Sequence, residues 1–167
     1  MIRGLPVPVD SLGRPLASWM KRVFALVIDF FVLSLFLSWF DGKVFPQVIN
    51  ATNIRVVPDH QILAFFGVTI VLWIAYLTLL GSSRRGQTIG MMLYGIAVRD
   101  DKDGGQVRVG RAAIRSTVLI VLMGFLFDLL WPLWDTRRQS IHDKAARTVV
   151  VDVRLAAFLQ QANEFNR

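Results

Sequence analysis

Apolar positions fall into three long runs, and each predicts a helix at membrane depth. The first is Val23 to Phe40 with a single charge, Asp29; the second is Ile62 to Leu80 with none; the third is Thr117 to Trp134 with one, Asp128. A bilayer core about 30 Å thick needs roughly 20 helical residues. Segments 23–40 and 62–80 meet that length, and Trp19, Trp39 and Phe40 bracket the first as interfacial aromatics do. Segment 117–134 carries Gly124, Asp128 and Pro132, so two readings stay open. It either crosses, or it enters, breaks near Gly124 and returns as a re-entrant segment, which is tolerated only against protein. The fold class expected is an α-helical membrane protein: two transmembrane helices, this third crossing or re-entrant/broken segment, and a small cytoplasmic β-hairpin.

Basic residues give the orientation. Lys and Arg number 4 before the first run, 2 between the first and second, 7 between the second and third, and 6 after the third. The positive-inside rule then places the N-terminus and the segment after the second run in the cytoplasm, and the first loop outside. A crossing third run would leave six basic residues outside, which disfavours it. A cleaved signal peptide is not expected in the first run, which starts late and ends in Ser38-Trp39-Phe40, no small-residue cleavage site.

Between the runs the chain is polar and turn-rich. Residues 1–18, with Pro6, Pro8, Gly13 and Pro15, read as an extended arm; 19–151 as the membrane domain; 152–167 as a tail, helical from Leu155. Gln87 to Tyr94 reads as a short interfacial segment. Segment 95–109 reads as a hairpin: Gly95 to Arg99 and Gln106 to Val109 flank Asp103-Gly104-Gly105, and Thr148 to Asp152 could join it as a further strand. An EF-hand register on Gly104 puts Arg99 first and Gly110 twelfth, so that loop is a turn and not a calcium site.

Composition narrows the function classes. Of 167 residues, 54% are hydrophobic and 19% charged, against about 25% charged in soluble domains. There is no cysteine, which excludes disulfides, Cys-ligated metals and thiol catalysis. The net charge of +7 on so apolar a chain points to an anionic membrane surface before nucleic acid, so the bilayer is an expected partner and nucleic acid is not. No nucleophile elbow, phosphate-binding glycine loop or zinc-protease motif is present, so neither an enzyme nor a cofactor is expected. His142-Asp143 lacks further ligands, and no metal is expected.

Asp29 is the informative charge, since an acid at a helix centre costs roughly 2.5–3.5 kcal/mol and is a functional candidate by default. Arg22 lies seven residues earlier on the same face. The stripe Ser18–Arg22–Ala25–Asp29 therefore faces protein, and candidate partners for Asp29 are Arg22, Tyr76 and Arg115. A proton or cation site and a structural bond that locks helix packing both fit. Asp128 is a second candidate if its segment reaches membrane depth. Arg84, Arg85, Arg137 and Arg138 are candidates for lipid headgroups.

This layout resembles the RDD family of small integral membrane proteins. The matching residues are Arg22 and Asp29 in KRVFALVID, Asp143 in RRQSIHDKAARTVVV, the stretch GQTIGMMLYGIAVRD, and Arg115 in GRAAIR. The resemblance covers about residues 16–151. Family members commonly carry Ala-Gly before the threonine of the last motif, where this chain has Ala146-Arg147-Thr148. The resemblance implies membrane residence, here a bacterial plasma membrane, and for some members cation/proton exchange. The readings that follow are ion-coupled transport by a homo-oligomer, with Asp29 titrating beside Arg22 and with Asp143 and Arg115 at the cytoplasmic end, or a non-enzymatic accessory or assembly subunit of a larger membrane complex.

Overall fold

The two longest apolar runs become the two longest helices in a computed structural model that describes residues 7–51, 57–122 and 127–165. Helix α1 runs Trp19–Val44 and is N-capped by Ser18, whose side chain accepts from the Lys21 amide. A short α2 follows (Pro46–Ile49), and α3 runs Asp59–Gly81. At 1.5 Å per residue α1 and α3 are about 39 and 35 Å long, enough to cross a bilayer. Only 22% of the most apolar window of α1 and 11% of that of α3 is buried. A helix at the centre of a water-soluble core would be mostly covered, whereas here Phe31, Leu35, Trp39, Leu63 and Val71 are exposed.

The remaining elements gather at one end of this pair. They are α4 (Ile89–Tyr94), β1 (Ile96–Asp100), α5 (Val109–Leu122), α6 (Phe127–Leu130), a 3-10 turn (Trp131–Leu133), α7 (Ile141–Ala146), β2 (Thr148–Asp152) and α8 (Val153–Phe165). Helix α4 lies on α1, and α5 packs against α3 and α7. The α1–α4 contact is backbone to backbone. A Cβ on Gly90 would lie 2.0 Å from the Ala25 carbonyl oxygen, so only glycine lets the two helices approach this closely.

The β structure corrects the expected hairpin. Strand β1 forms as expected, but its partner is β2, antiparallel, with Ile96 opposite Asp152 and Val98 opposite Val150. Residues 106–108 are not a strand, because the Arg108 carbonyl already accepts from the Arg111 and Ala112 amides that open α5. Val149, Val150 and Val151 are buried on both faces, with Val150 beside Ile96, Val98 and Val107, and Val149 and Val151 beside Leu16 and Ala97. The N-terminal arm joins on: Leu16 bridges to Val151, and the Ala17 amide donates to the Val150 carbonyl at 2.9 Å.

That sheet also bears on the third run. Segment 117–134 is α-helical over its described residues up to Leu122 and over Phe127–Leu130, and then passes into the 3-10 turn Trp131–Leu133, so its last part is not α-helix. The expected break at Gly124 lies outside the described residues. The chain beyond returns to where α1 begins, since Trp19 Nε1 donates to the Leu129 carbonyl at 2.7 Å. With β2 paired to β1, the segments before and after the run meet at the same end of the helix pair.

Candidate functional site

The charges on the apolar helices resolve into two linked clusters. Asp29, 2% exposed, accepts at Oδ1 from the Tyr76 hydroxyl (2.7 Å) and the Gly90 amide (2.8 Å), and at Oδ2 from the Thr88 hydroxyl. Thr88 is also the N-cap of α4, accepting from the Met91 amide, so Asp29 seats the first turn of that helix on α1. Of the three partners expected for Asp29, Tyr76 is present. Arg22 and Arg115 instead hold Asp143: Arg22 Nη1 is 2.8 Å from Oδ2 and Arg115 Nε 2.9 Å from Oδ1. Arg22 points toward the sheet rather than up its own helix because Val150 offers a carbonyl there, 3.4 Å from Nη2.

Asp143 has no exposed surface. Burial alone would raise its pKa, but His142, Arg115 and Arg22 outweigh it and hold the carboxyl well below the usual range. Ser140 and Asp143 form the capping box of α7. Asp128 comes to the same place: its Oδ1 accepts from the His142 amide at 3.1 Å, and its Oδ2 lies 2.5 Å from His142 Nδ1. The other ring nitrogen, Nε2, is 3.0 Å from Ser140 Oγ, which donates to Asp143 Oδ2 at 2.9 Å. A serine, a histidine and an aspartate are thus in line, with the Ser140 hydroxyl lying between the imidazole and Asp143.

The structure therefore joins Arg22, Arg115, Asp128 and Asp143 in one cluster and Asp29 with Tyr76 in the other. A cavity of about 190 Å³ lies between, bordered by Arg22, Asp29, Arg115, Asp128 and His142 and walled by leucines. The headgroup candidates are not brought together as one site. Arg84 and Arg85 are exposed, Arg137 pairs with Asp101, and Arg138 is half-buried. Among the described residues no group of three or more His, Asp or Glu side chains is arranged to hold a metal ion.

Four participants went unread in the sequence. Thr88, Gly90 and Ser140 stand in the quoted stretches GQTIGMMLYGIAVRD and RRQSIHDKAARTVVV, but nothing in the sequence assigns any of them a role beside Asp29 or Asp143. Asp41 lies one residue past the first run and is 4% exposed, 3.5 Å from the Thr69 hydroxyl at Oδ2, while Oδ1 is buried without a partner. A window extended by one residue, with α1 faces tracked at steps of four from Asp29, would have found it.

Arg22 and Asp29 of α1 and Asp143 of α7 are residues that carry the resemblance to a known family. The model of that family, the RDD family, matches residues 16–147. No curated protein and no solved structure matches the chain. Its two long apolar helices fit the membrane character of that family. The match spans the helix pair, the α5–α7 cluster and every member of the Arg22–Asp143–Arg115 triad, and the chain belongs to the RDD family.

Proposed function

We propose that the chain is an accessory or assembly subunit that works without catalysis inside a larger membrane complex. In this reading α1 and α3 span a bacterial plasma membrane, and segment 117–134 enters and returns. The arm, the sheet and α8 lie on the cytoplasmic side, as the basic tally favours. The observation that carries the reading is that both oxygens of Asp29 and of Asp143 are engaged by donors of this same chain. Such acids fasten helices together and are poor relays. Ser140 caps α7, its hydroxyl held between Asp143 and His142. Meanwhile the outer faces of α1 and α3 remain apolar and uncovered, available to lipid and to partner helices. Purification from native membranes in mild detergent is expected to recover a larger complex at fixed stoichiometry, and loss of the chain to lower the abundance of that complex. Recovery of the chain alone, at the mass of a self-oligomer, overturns the reading.

Ion-coupled transport by a homo-oligomer is the second reading, and Asp41 favours it. Asp29 and Asp41 lie about 18 Å apart along α1, and α3 places Tyr76 beside one and Thr69 beside the other. Leu33 and Leu37, both buried, separate the two acids within one chain, so a path would need a second copy. Proteoliposomes would then show pH-dependent cation flux that Asp29→Asn and Asp41→Asn each abolish. Absence of flux at every protein density rejects it.

A further inference from the structure

Helix α8 (Val153–Phe165) lies beyond the residues matched by the family model, and no buried side chain anchors it. Its first turn is nevertheless fixed to the start of α1. Asp152 accepts from the Leu155 amide at Oδ1, 3.0 Å, and its Oδ2 is 2.5 Å from Lys21 Nζ. The Val153 and Arg154 amides donate to the Gly95 carbonyl at 2.9 and 3.3 Å, and the Arg154 stem lies over Gly95, leaving no room for a Cβ. Gly95 is the C-cap of α4. Helix α4 runs back along α1, from Asp29 beside Thr88 and Gly90 to Phe24, whose ring stacks on Tyr94 at 5.9 Å. The first turn of α8 is therefore level with Lys21, where the charged entry of α1 meets its apolar run.

At about 100° per residue, Leu155, Phe158, Leu159, Ala162 and Phe165 fall within an arc of about 120°, and Gln160, Gln161, Asn163 and Glu164 fall outside it. The arc is only partly covered by its own chain. Leu155 and Leu159 are half-buried, but Phe158 is 53% exposed and Phe165 94%. These two rings are two turns apart, within about 20° of each other around the helix. Arg154 and Glu164 are the charged residues of α8, one of each sign, so the helix has no net charge to match to an acidic or basic protein. Apolar burial is what it offers. Exposed apolar side chains flank the anchored turn: Met92 and Leu93 just before Gly95, and Phe24 on α1. In the membrane reading of α1 they belong to the surface turned toward acyl chains. A short helix tethered at headgroup depth, with an apolar arc on one side and a polar one on the other, suits the plane of that interface.

We infer that α8 lies in the cytoplasmic headgroup layer of the bilayer, with Phe158 and Phe165 among the first acyl methylenes and Gln160 and Glu164 toward water. The inference rests on the membrane placement of α1 and α3 and on the cytoplasmic placement of the sheet, not on the accessory role, and failure to recover a larger complex leaves it standing.

The chain has no cysteine, so a single introduced thiol takes a spin label at one known position. Phe158→Cys, Phe165→Cys, Gln160→Cys and, on the exposed face of α1, Phe31→Cys are each labelled in the full chain and reconstituted into phosphatidylcholine vesicles, which carry no net charge. Paramagnetic-resonance power saturation then compares collision with oxygen, which concentrates among acyl chains, and collision with a water-soluble nickel chelate. The oxygen-to-nickel ratio is expected to be at least threefold higher for labels at Phe158 and Phe165 than at Gln160, with the label at Phe31 also reporting lipid. Each phenylalanine variant leaves the other ring in place, so either carries the test if the other fails to fold. Equal ratios at all three positions of α8, with the Phe31 label reporting lipid, overturn the inference and spare the membrane placement. A Phe31 label that reports water overturns both. Labels at Phe158 and Phe165 shielded from both reagents mean that protein, from a second copy or the same one, covers the arc, and this too overturns the inference.

Discussion

Two acids of similar burial differ in what a carboxamide would do to them. Each oxygen of Asp143 faces an arginine N–H: Arg115 Nε at Oδ1, beside the Thr148 hydroxyl, and Arg22 Nη1 at Oδ2, beside the Ser140 hydroxyl. A guanidinium has no acceptor to offer. In Asp143→Asn the new amide nitrogen must therefore face an arginine N–H in either rotamer, and two buried cations lose their counter-charge. Removing one partner of a buried pair costs about 3–5 kcal/mol. At Asp29 the Oδ2 partner is a single hydroxyl, that of Thr88, which can rotate to accept. The carboxamide oxygen can keep Tyr76 and Gly90, so Asp29→Asn loses one hydrogen bond, about 1 kcal/mol. For a chain of this size, 1 kcal/mol moves a melting midpoint by roughly 2–4 °C. Thermal unfolding in detergent at pH 7, followed by circular dichroism, should then fall by about 6–20 °C for Asp143→Asn and about 2–4 °C for Asp29→Asn. Equal shifts, or the reverse order, would refute the assignment of Asp143 as the charge that both arginines require. A folded Asp29→Asn protein is also the reagent that the flux assay needs.

Acid should loosen the charged end. Asp143 is held below its ordinary pKa by His142, Arg115 and Arg22 against the opposing effect of burial; Asp100 is lowered likewise by the Lys102 amide and Arg111, and Asp135 by Lys144. A depressed carboxyl contributes in full above its unfolded value, about 4, and the contribution is lost as pH falls from there toward the folded value. Melting midpoints should fall with acidification below about pH 4, and a midpoint that rises there contradicts the pairing. Gly90→Ala should cost about 1–3 kcal/mol or more, because its Cβ meets backbone atoms of Ala25 that cannot turn aside, and would lift the Gly90 amide off Asp29. An unchanged midpoint would show that α4 does not sit this close to α1. Arg147 ends α7 in the left-handed region at φ 51°, a conformation that favours glycine. Arg147→Gly should stabilise by roughly 0.5–1 kcal/mol, read as a higher midpoint, since Thr148 and the carbonyl bonds around the turn stay in place.

Hydrophobic periodicity and length marked α1 and α3, because a long uncharged run has few alternatives. The placement of Asp29 toward protein also followed from helical geometry, and so did Tyr76 as a candidate partner. What did not follow was pairing at long range. The 95–99 strand was legible, but 106–109 and 148–152 are comparable β-formers. The choice of 148–152 rests on Val149, Val150 and Val151 covering two apolar faces at once. The Asp128–His142 contact joins two elements 14 residues apart, a pairing that no local pattern encodes. Arg22 was one of three candidate partners for Asp29, with Tyr76 and Arg115. It serves Asp143 because the sheet edge comes nearer than the next turn of α1.

The bridge from Leu16 to Val151 and the ion pair from Arg22 to Asp143 tie the first helix to the last strand. Synthesis runs in one direction, so a nascent chain must wait through more than a hundred residues with an uncompensated arginine in the first turn of its first helix. Completion of the final valine strand is thus a natural checkpoint. Products stopped short of it would keep a free cation and an open strand edge, two features by which cellular quality control could tell an unfinished molecule from a finished one.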